Sequence, residues 1–334
     1  MSCHPNRAAR PTPERWLEAR IGAGLTLTVA SADASYRRYF RVHGAGSTRI
    51  LMDAPPEHED CRAFVRVARL LRAVGVNAPE VVIEDIENGF VLLEDFGDET
   101  YLAAVERGVD PAGPYRDAIA ALVRMQCLTV GVEALPSYDE RLLRFELSLF
   151  TDWFLALQVG IDAPAWLPAL EDRLVAAALD QPQVFVHRDY HSRNLMLVRD
   201  RNPGVLDFQD AVFGPVSYDL VSLLRDAYID WPEARVDGWL AEYRAQAAAA
   251  GVDCGPDLHS FRRWFDLMGI QRQLKVAGIF ARLNHRDGKS RYLADIPRTL
   301  GYARNTARRH RDLKQLAEWL DKVVLPALRV RGSV

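Results

Sequence analysis

The sequence predicts an α+β chain of two lobes: a small antiparallel β-sheet carrying one helix, then a mostly helical lobe. Three observations predict it. Five short runs rich in β-branched and aromatic residues fall within the first hundred residues, separated by turn-forming Gly, Asn and Ser. One amphipathic stretch interrupts them, and after Gly97 the apolar period becomes that of a helix. A length of 334 residues, 49% of them apolar, supports two lobes better than one.

The strand runs are LTLTVA (25–30), RYFRVH (38–43), TRILMD (48–53), VVIEDI (81–86) and FVLLED (90–95), with HGAGS and ENG as turns. Between the third and fourth, Phe64, Val67, Ala68 and Leu71 recur at i, i+3, i+4, i+7 and Gly75 closes the pattern, so one helix packs on the sheet. This lobe and its hinge span 1–96, and the helical lobe spans 97–334. Segments near 99–107, 113–130, 139–159 and 166–180 are helical in pattern, with Leu142, Phe145, Leu149, Trp153 and Ala156 tracing the expected inner face of the third. VFVHRD and GVLDFQ read as short strands. From about 217 helices return; AQAAAAG ends one at Gly251, and Phe261, Trp264, Phe265 and Met268 form a core stripe in another.

Several function classes drop out. A net charge of -3 with no basic stripe gives nucleic acid nothing to bind. Cys3, Cys61, Cys127 and Cys254 are scattered and form no C-x-x-C, so neither a zinc site nor a disulfide framework is expected. No run of eighteen apolar residues occurs and the N-terminal stretch has no signal-peptide character, so the expectation is a cytoplasmic protein with no membrane association and no implied protein partner.

The chemistry concentrates in VFVHRDYHSRNLML, residues 184–197. Transfer of a terminal phosphoryl group from ATP needs a carboxylate to orient and deprotonate the acceptor hydroxyl, and oxygen ligands for Mg²⁺ between the phosphates. His187, Arg188, Asp189 and Asn194 fit that pattern, with Asp189 the base and Asn194 a metal ligand through its amide oxygen. Thirteen residues after Asn194, Asp207 stands at a strand end as the second metal ligand. Asp95-Phe96-Gly97 spells the metal-binding motif of protein kinases but precedes the loop instead of following it. It reads as the hinge, where backbone groups of Glu94, Asp95 and Phe96 meet adenine. The true counterpart, Asp207-Phe208-Gln209, lacks the Gly, and no A-P-E follows, which argues against a protein kinase.

HRDYHSRNLML, GVLDFQDAVFGPVSYDLVSLLRD and the two-lobe order resemble the aminoglycoside phosphotransferase and choline kinase group of small-molecule kinases, over most of the chain. More narrowly, SADASYRRYFRV, ILMDAPPEHEDCRAFV, VLLEDFGDETY and FGPVSYDL resemble bacterial cell-wall sugar kinases that phosphorylate the anomeric hydroxyl of N-acetylmuramate and N-acetylglucosamine in peptidoglycan recycling. The resemblance implies a protein-kinase-like fold and ATP as co-substrate. It gives Asp219, with His187, the task of bracing the catalytic loop.

One part of a kinase is missing. The chain has no lysine before Lys275, and the place near the end of TRILMD where a phosphate-binding lysine belongs holds Met52 or Asp53. After the first strand come the small residues 31–35, ending in Ser35, and then Arg37, Arg38 and Arg41. An arginine holds phosphate oxygens bidentately, so Arg38, or failing that Arg37 or Arg41, is expected to do the lysine's work, with Glu57 or Glu59 as acidic partner. On the acceptor side the expected groups are His191, Arg225 and Arg263, with Arg272 and Lys275 in segments that also suit a sugar carboxylate. Two rival readings carry their own residues: a cationic acceptor served by Asp226, Asp230 and Trp231, and a binding module without catalysis, suggested by the absent lysine.

Overall fold

The computed structural model describes residues 10–32, 36–44, 46–129 and 135–331. They form two compact units. The first runs to Asp98 and regains Gly204–Gln209; the second comprises Glu99–Pro203 and the chain from Asp210 onward. The sequence pattern divides the chain once, after residue 96. The return of Gly204–Gln209 to the first unit is a long-range pairing that no local pattern encodes: Val205 N donates to Asn77 O at 2.9 Å, and Phe208 packs on Phe64 with ring centroids 4.8 Å apart.

The first unit begins with α1 (Pro13–Ile21), a helix that the apolar period does not reveal because Trp16 and Leu17 are its only buried residues. Its start is nevertheless written in the sequence: the Thr12 side chain accepts from Arg15 N and Pro13 takes the first turn, where its missing N–H costs nothing. Five strands follow, β1 (Thr26–Ala32), β2 (Arg38–Gly44), β3 (Ser47–Asp53), β4 (Val81–Asp85) and β5 (Phe90–Glu94), antiparallel in the order β1-β2-β3-β5-β4. Each lies within two residues of its expected bounds. Trp16 and Leu17 pack with Val42, Leu51, Phe90 and Leu92 on one face of the sheet, and alternation sends Met52, Val91 and Leu93 to the other. Between β3 and β4, α2 (Cys61–Ala73) buries Phe64, Val67, Ala68 and Leu71 as the spacing requires. The ENG turn needs its glycine: Gly89 has φ 68°, and a Cβ there would sit 1.9 Å from Ala54 O.

The second unit contains α3 (Tyr101–Glu106), α4 (Ala112–Gln126), α5 (Glu140–Leu149), α6 (Leu167–Leu179), α7 (Tyr218–Leu224), α8 (Glu233–Ala249), α9 (Leu258–Asp287), α10 (Ile296–Arg309), α11 (Lys314–Trp319) and α12 (Leu325–Arg331). The strand Gln183–Val186 pairs antiparallel with Val212–Pro215. The axis is α9, buried without interruption from Phe265 to Gly278, and such a helix must find partners for its own polar residues.

Helix α5 corrects the expected inner face. Phe145 is 55% exposed and Ala156 is exposed, while Leu143, Glu146 and Leu147 are buried. The face is displaced by one residue because Glu146, which an apolar count turns outward, is buried by charge pairing. Beyond Leu149 the helix widens to a π-helix over Phe150–Val159, shifting the register again. That junction lies against Gly278 of α9, where a Cβ would come 2.3 Å from the Leu149 carbonyl carbon, so only glycine admits the contact.

Candidate active site

The strand Gln183–Val186 delivers the loop that begins at His187. Asp219, fully buried on α7, accepts the backbone N–H groups of His187 at 2.6 Å and Arg188 at 3.0 Å. Burial pushes the Asp219 carboxyl up to about 7 in spite of these two donors. Arg188 has a φ of 76°, which a non-glycine residue holds only when its surroundings enforce it. Asp219 holds the Arg188 backbone N–H, and the side chain is held by Glu146, 1% exposed, which accepts from Arg188, from Lys275 Nζ at 2.9 Å, from Tyr138 Oη and from Gln271 Nε2 at 3.3 Å. Lys275 Nζ also donates to Tyr218 Oη at 2.8 Å. Burial would raise the Glu146 carboxyl, but Lys275 and Arg188 hold it below its ordinary range.

Asp189 follows Arg188 in this loop. Burial alone would raise its carboxyl; Lys275, His191, Arg272 and Arg188 together hold it below the usual carboxylate range, so it is ionised at neutral pH. His191 is itself pulled down by burial, so at that pH the cations acting on Asp189 are Lys275, Arg272 and Arg188. Asn194 Nδ2 donates to the Asp189 carbonyl at 3.0 Å, which fixes the amide's direction. The far side of the loop is pinned by Asp226, which accepts Ser192 N at 2.9 Å, Ser192 Oγ at 2.5 Å and Tyr228 N at 3.0 Å. Arg193 stacks on the Tyr228 ring at 3.6 Å, and His191 meets that ring edge-on.

In the first unit Asp207 also has positive φ, 63°, and accepts Gln209 Nε2 at 2.7 Å. Among the described residues only Arg188, Arg201 and Asp207 combine positive φ with a side chain, and two of these are in the predicted phosphotransfer motifs. The hinge is held by Arg41, which bonds Asp95 at 2.7 and 3.1 Å, Asp98 at 2.6 Å and Gly97 O at 3.1 Å. Glu94 accepts from Arg72 at 3.3 Å, and Phe96 lies against Gly204. At the end of β3, Met52 and Asp53 are both fully buried, and Asp53 takes Arg38, its cross-strand neighbour, together with Arg10. Of the two acidic candidates Glu59 is the one engaged, pairing with Arg37 at 2.9 Å just ahead of α2. Ser35 lies outside the described residues.

The acceptor-side cations divide sharply. Arg225 is paired with Glu233 at 2.7 Å and Arg263 with Asp312 at 2.6 Å, so both guanidinium groups already have carboxylates. Arg272 forms no ion pair among the described residues and its buried Nε has no partner. Asp226 is a loop brace, and Trp231 packs with Tyr115 and Trp239. Sequence reasoning missed Glu146, Asp226 as a brace, and the Asp53 cluster. For Glu146 no local pattern is a signal, because what buries it is a partner as remote in sequence as Lys275.

A phosphotransferase enzyme family model matches residues 26–265. The chain is 48% identical over 307 residues, 91% of this chain and 89% of the relative, to the N-acetylmuramate/N-acetylglucosamine kinase of Pseudomonas putida. It is 45% identical to the protein of that name from Neisseria meningitidis, over 89% of this chain and 90% of the relative. Among solved structures, Plasmodium vivax ethanolamine kinase matches with a TM-score of 0.60 at 9% identity, covering 84% of this chain and 82% of that one. Choline kinase from Streptococcus pneumoniae matches with a TM-score of 0.58 at 11% identity, covering 87% and 97%. These two share the fold alone; the family match over residues 26–265 and the relatives at 48% and 45% identity establish that this chain belongs to the phosphotransferase enzyme family.

Proposed function

We propose that the protein is an ATP-dependent sugar kinase that phosphorylates the anomeric hydroxyl of N-acetylmuramate and N-acetylglucosamine, in the recycling of cell-wall sugars. The observation that carries the reading is Asp189: an ionised carboxylate on a loop pinned by Asp219, Glu146 and Asp226. The names of the relatives supply the acceptor.

In this reading Asp189 orients the anomeric hydroxyl and accepts its proton as the oxygen bonds to the γ-phosphorus, and ADP leaves. A carboxylate held below its ordinary pKa is a weak base, which suits the task. The anomeric hydroxyl is more acidic than other sugar hydroxyls, and in a loose transition state little charge builds on the attacking oxygen. Arg37 and Arg38 hold phosphate oxygens, and the hinge backbone at Glu94, Asp95 and Phe96 receives adenine.

Among the described residues no three His, Cys, Asp or Glu converge on one point. An amide oxygen from Asn194 and a carboxylate from Asp207 are hard oxygen ligands of the kind Mg²⁺ takes when nucleotide phosphates complete its shell. A Mg²⁺ held by these ligand types together with the nucleotide would neutralise charge on the phosphates.

Phosphorus NMR of the reaction tests the proposal: with either sugar the new phosphate should couple to the anomeric proton, and the 1-O-methyl glycoside should be inert. Phosphorylation of the methyl glycoside, or a 6-phosphate product, would overturn the anomeric assignment.

A further inference from the structure

Arg272 lies on α9 three residues before Lys275, 5% exposed, with no hydrogen bond from its buried Nε. The other cations of the loop and of the acceptor side are committed: Arg188 and Lys275 share Glu146, Arg225 has Glu233, and Arg263 has Asp312. Among the described residues Arg272 forms no ion pair, and the ring of Tyr218 lies 6.0 Å from its guanidinium carbon. Burying a guanidinium without a carboxylate is costly, and its planar fork of donors matches a carboxylate bidentately. Its charge acts on Asp189, His191 and Asp219 alike, which places it within electrostatic reach of the acceptor side of the loop.

We propose that Arg272 receives the carboxylate of the lactyl ether of N-acetylmuramate, and so sets the preference between that sugar and uncharged N-acetylglucosamine. The inference rests on the sugar-kinase reading above. The lactyl ether is on C3, next but one to C1, so with the anomeric hydroxyl at Asp189 the carboxylate falls within a side chain's length of it. Lys275 is excluded because its ammonium is already taken by Glu146 and Tyr218.

The test compares kcat/KM for N-acetylmuramate, its lactyl amide and N-acetylglucosamine in wild type and in Arg272→Met and Arg272→Lys. Wild type should favour the acid over the amide by about thirtyfold or more, as expected when one member of a desolvated charge pair is removed. Arg272→Met should erase that preference, and Arg272→Lys should restore part of it. If Arg272 only holds Asp189 ionised or touches ATP, every substrate falls by the same factor and the acid-to-amide ratio survives, which overturns the proposal. The acid and amide arms on wild type need no variant to fold: equal efficiencies there overturn the role of Arg272 while leaving the sugar-kinase reading intact. A wild type that phosphorylates none of the three overturns that reading itself, and this inference with it.

Discussion

Lys275 on α9 and Glu146 on α5 form a 2.9 Å ion pair whose side chains are both buried, and Arg188 of the loop bearing Asp189 closes on the same carboxylate. Two helices and the loop therefore meet at one charge, and disturbing it has unequal consequences.

Glu146→Ala leaves Lys275 and Arg188 buried without a carboxylate and should cost about 3 to 5 kcal/mol in urea unfolding. Lys275→Met should cost less, because Arg188, Tyr138 and Gln271 remain on Glu146. Glu146→Met combined with Lys275→Met should recover part of the loss; strictly additive costs would show that the pair is not coupled. Removing the Lys275 charge should also move the acidic limb of kcat/KM to higher pH, since Lys275 helps hold the Asp189 carboxyl down.

Asp219 titrates in the opposite sense. Its folded pKa, about 7, lies above the ordinary 3.8, so the folded state binds its proton more tightly than the unfolded chain does. The resulting stability is complete below about pH 4 and is lost as pH rises through 7. Relative to Asp219→Asn, which does not titrate, wild type should lose about 3 kcal/mol of unfolding free energy between pH 5 and 8. A pH-independent difference between the two would remove this assignment. Asp219→Ala should be worse at every pH, because it leaves the His187 and Arg188 N–H groups without acceptors.

The legible part of this molecule is its local part. The strands announce themselves as β-branched runs ended by Gly and Asn, and the H-R-D run keeps its order with Asn194 and Asp207 whatever folds around it. What the sequence conceals is charge that is buried because it is paired. Glu146 looks like a solvated position on α5, Asp53 like the polar end of a strand, and Arg272 like one of several basic residues on a helix. Their meaning depends on partners as distant in sequence as Glu146 and Lys275. Helix α1 was concealed for another reason, since two buried residues are too few to set a period.

The arginines near β2 should separate by function. Arg41 is locked to Asp95 and Asp98, so Arg41→Ala should loosen the hinge and lower the thermal midpoint. Arg37, held by Glu59, and Arg38, which shares Asp53 with Arg10, should instead raise KM for ATP about tenfold or more as alanine variants, as expected for a charge-assisted bond, with sugar KM little changed. Normal ATP kinetics in both would assign phosphate holding to the metal and to residues 31–35.

The catalytic pair should fail in different ways. Asp189→Asn keeps the size of the side chain and, because Asn194 bonds the Asp189 backbone carbonyl, should keep the loop in place. It should lose at least about a hundredfold in kcat, since an amide accepts no proton from the acceptor hydroxyl. Asp207→Ala removes the proposed oxygen ligand of the metal, and its loss, of similar size, should be partly relieved by raising the magnesium concentration. No magnesium concentration should rescue Asp189→Asn. Near-wild-type kcat in either variant, with a native circular dichroism spectrum, would sink the roles given to these residues. Equal metal rescue of both would mean that Asp189, too, acts through the metal and that the base lies elsewhere.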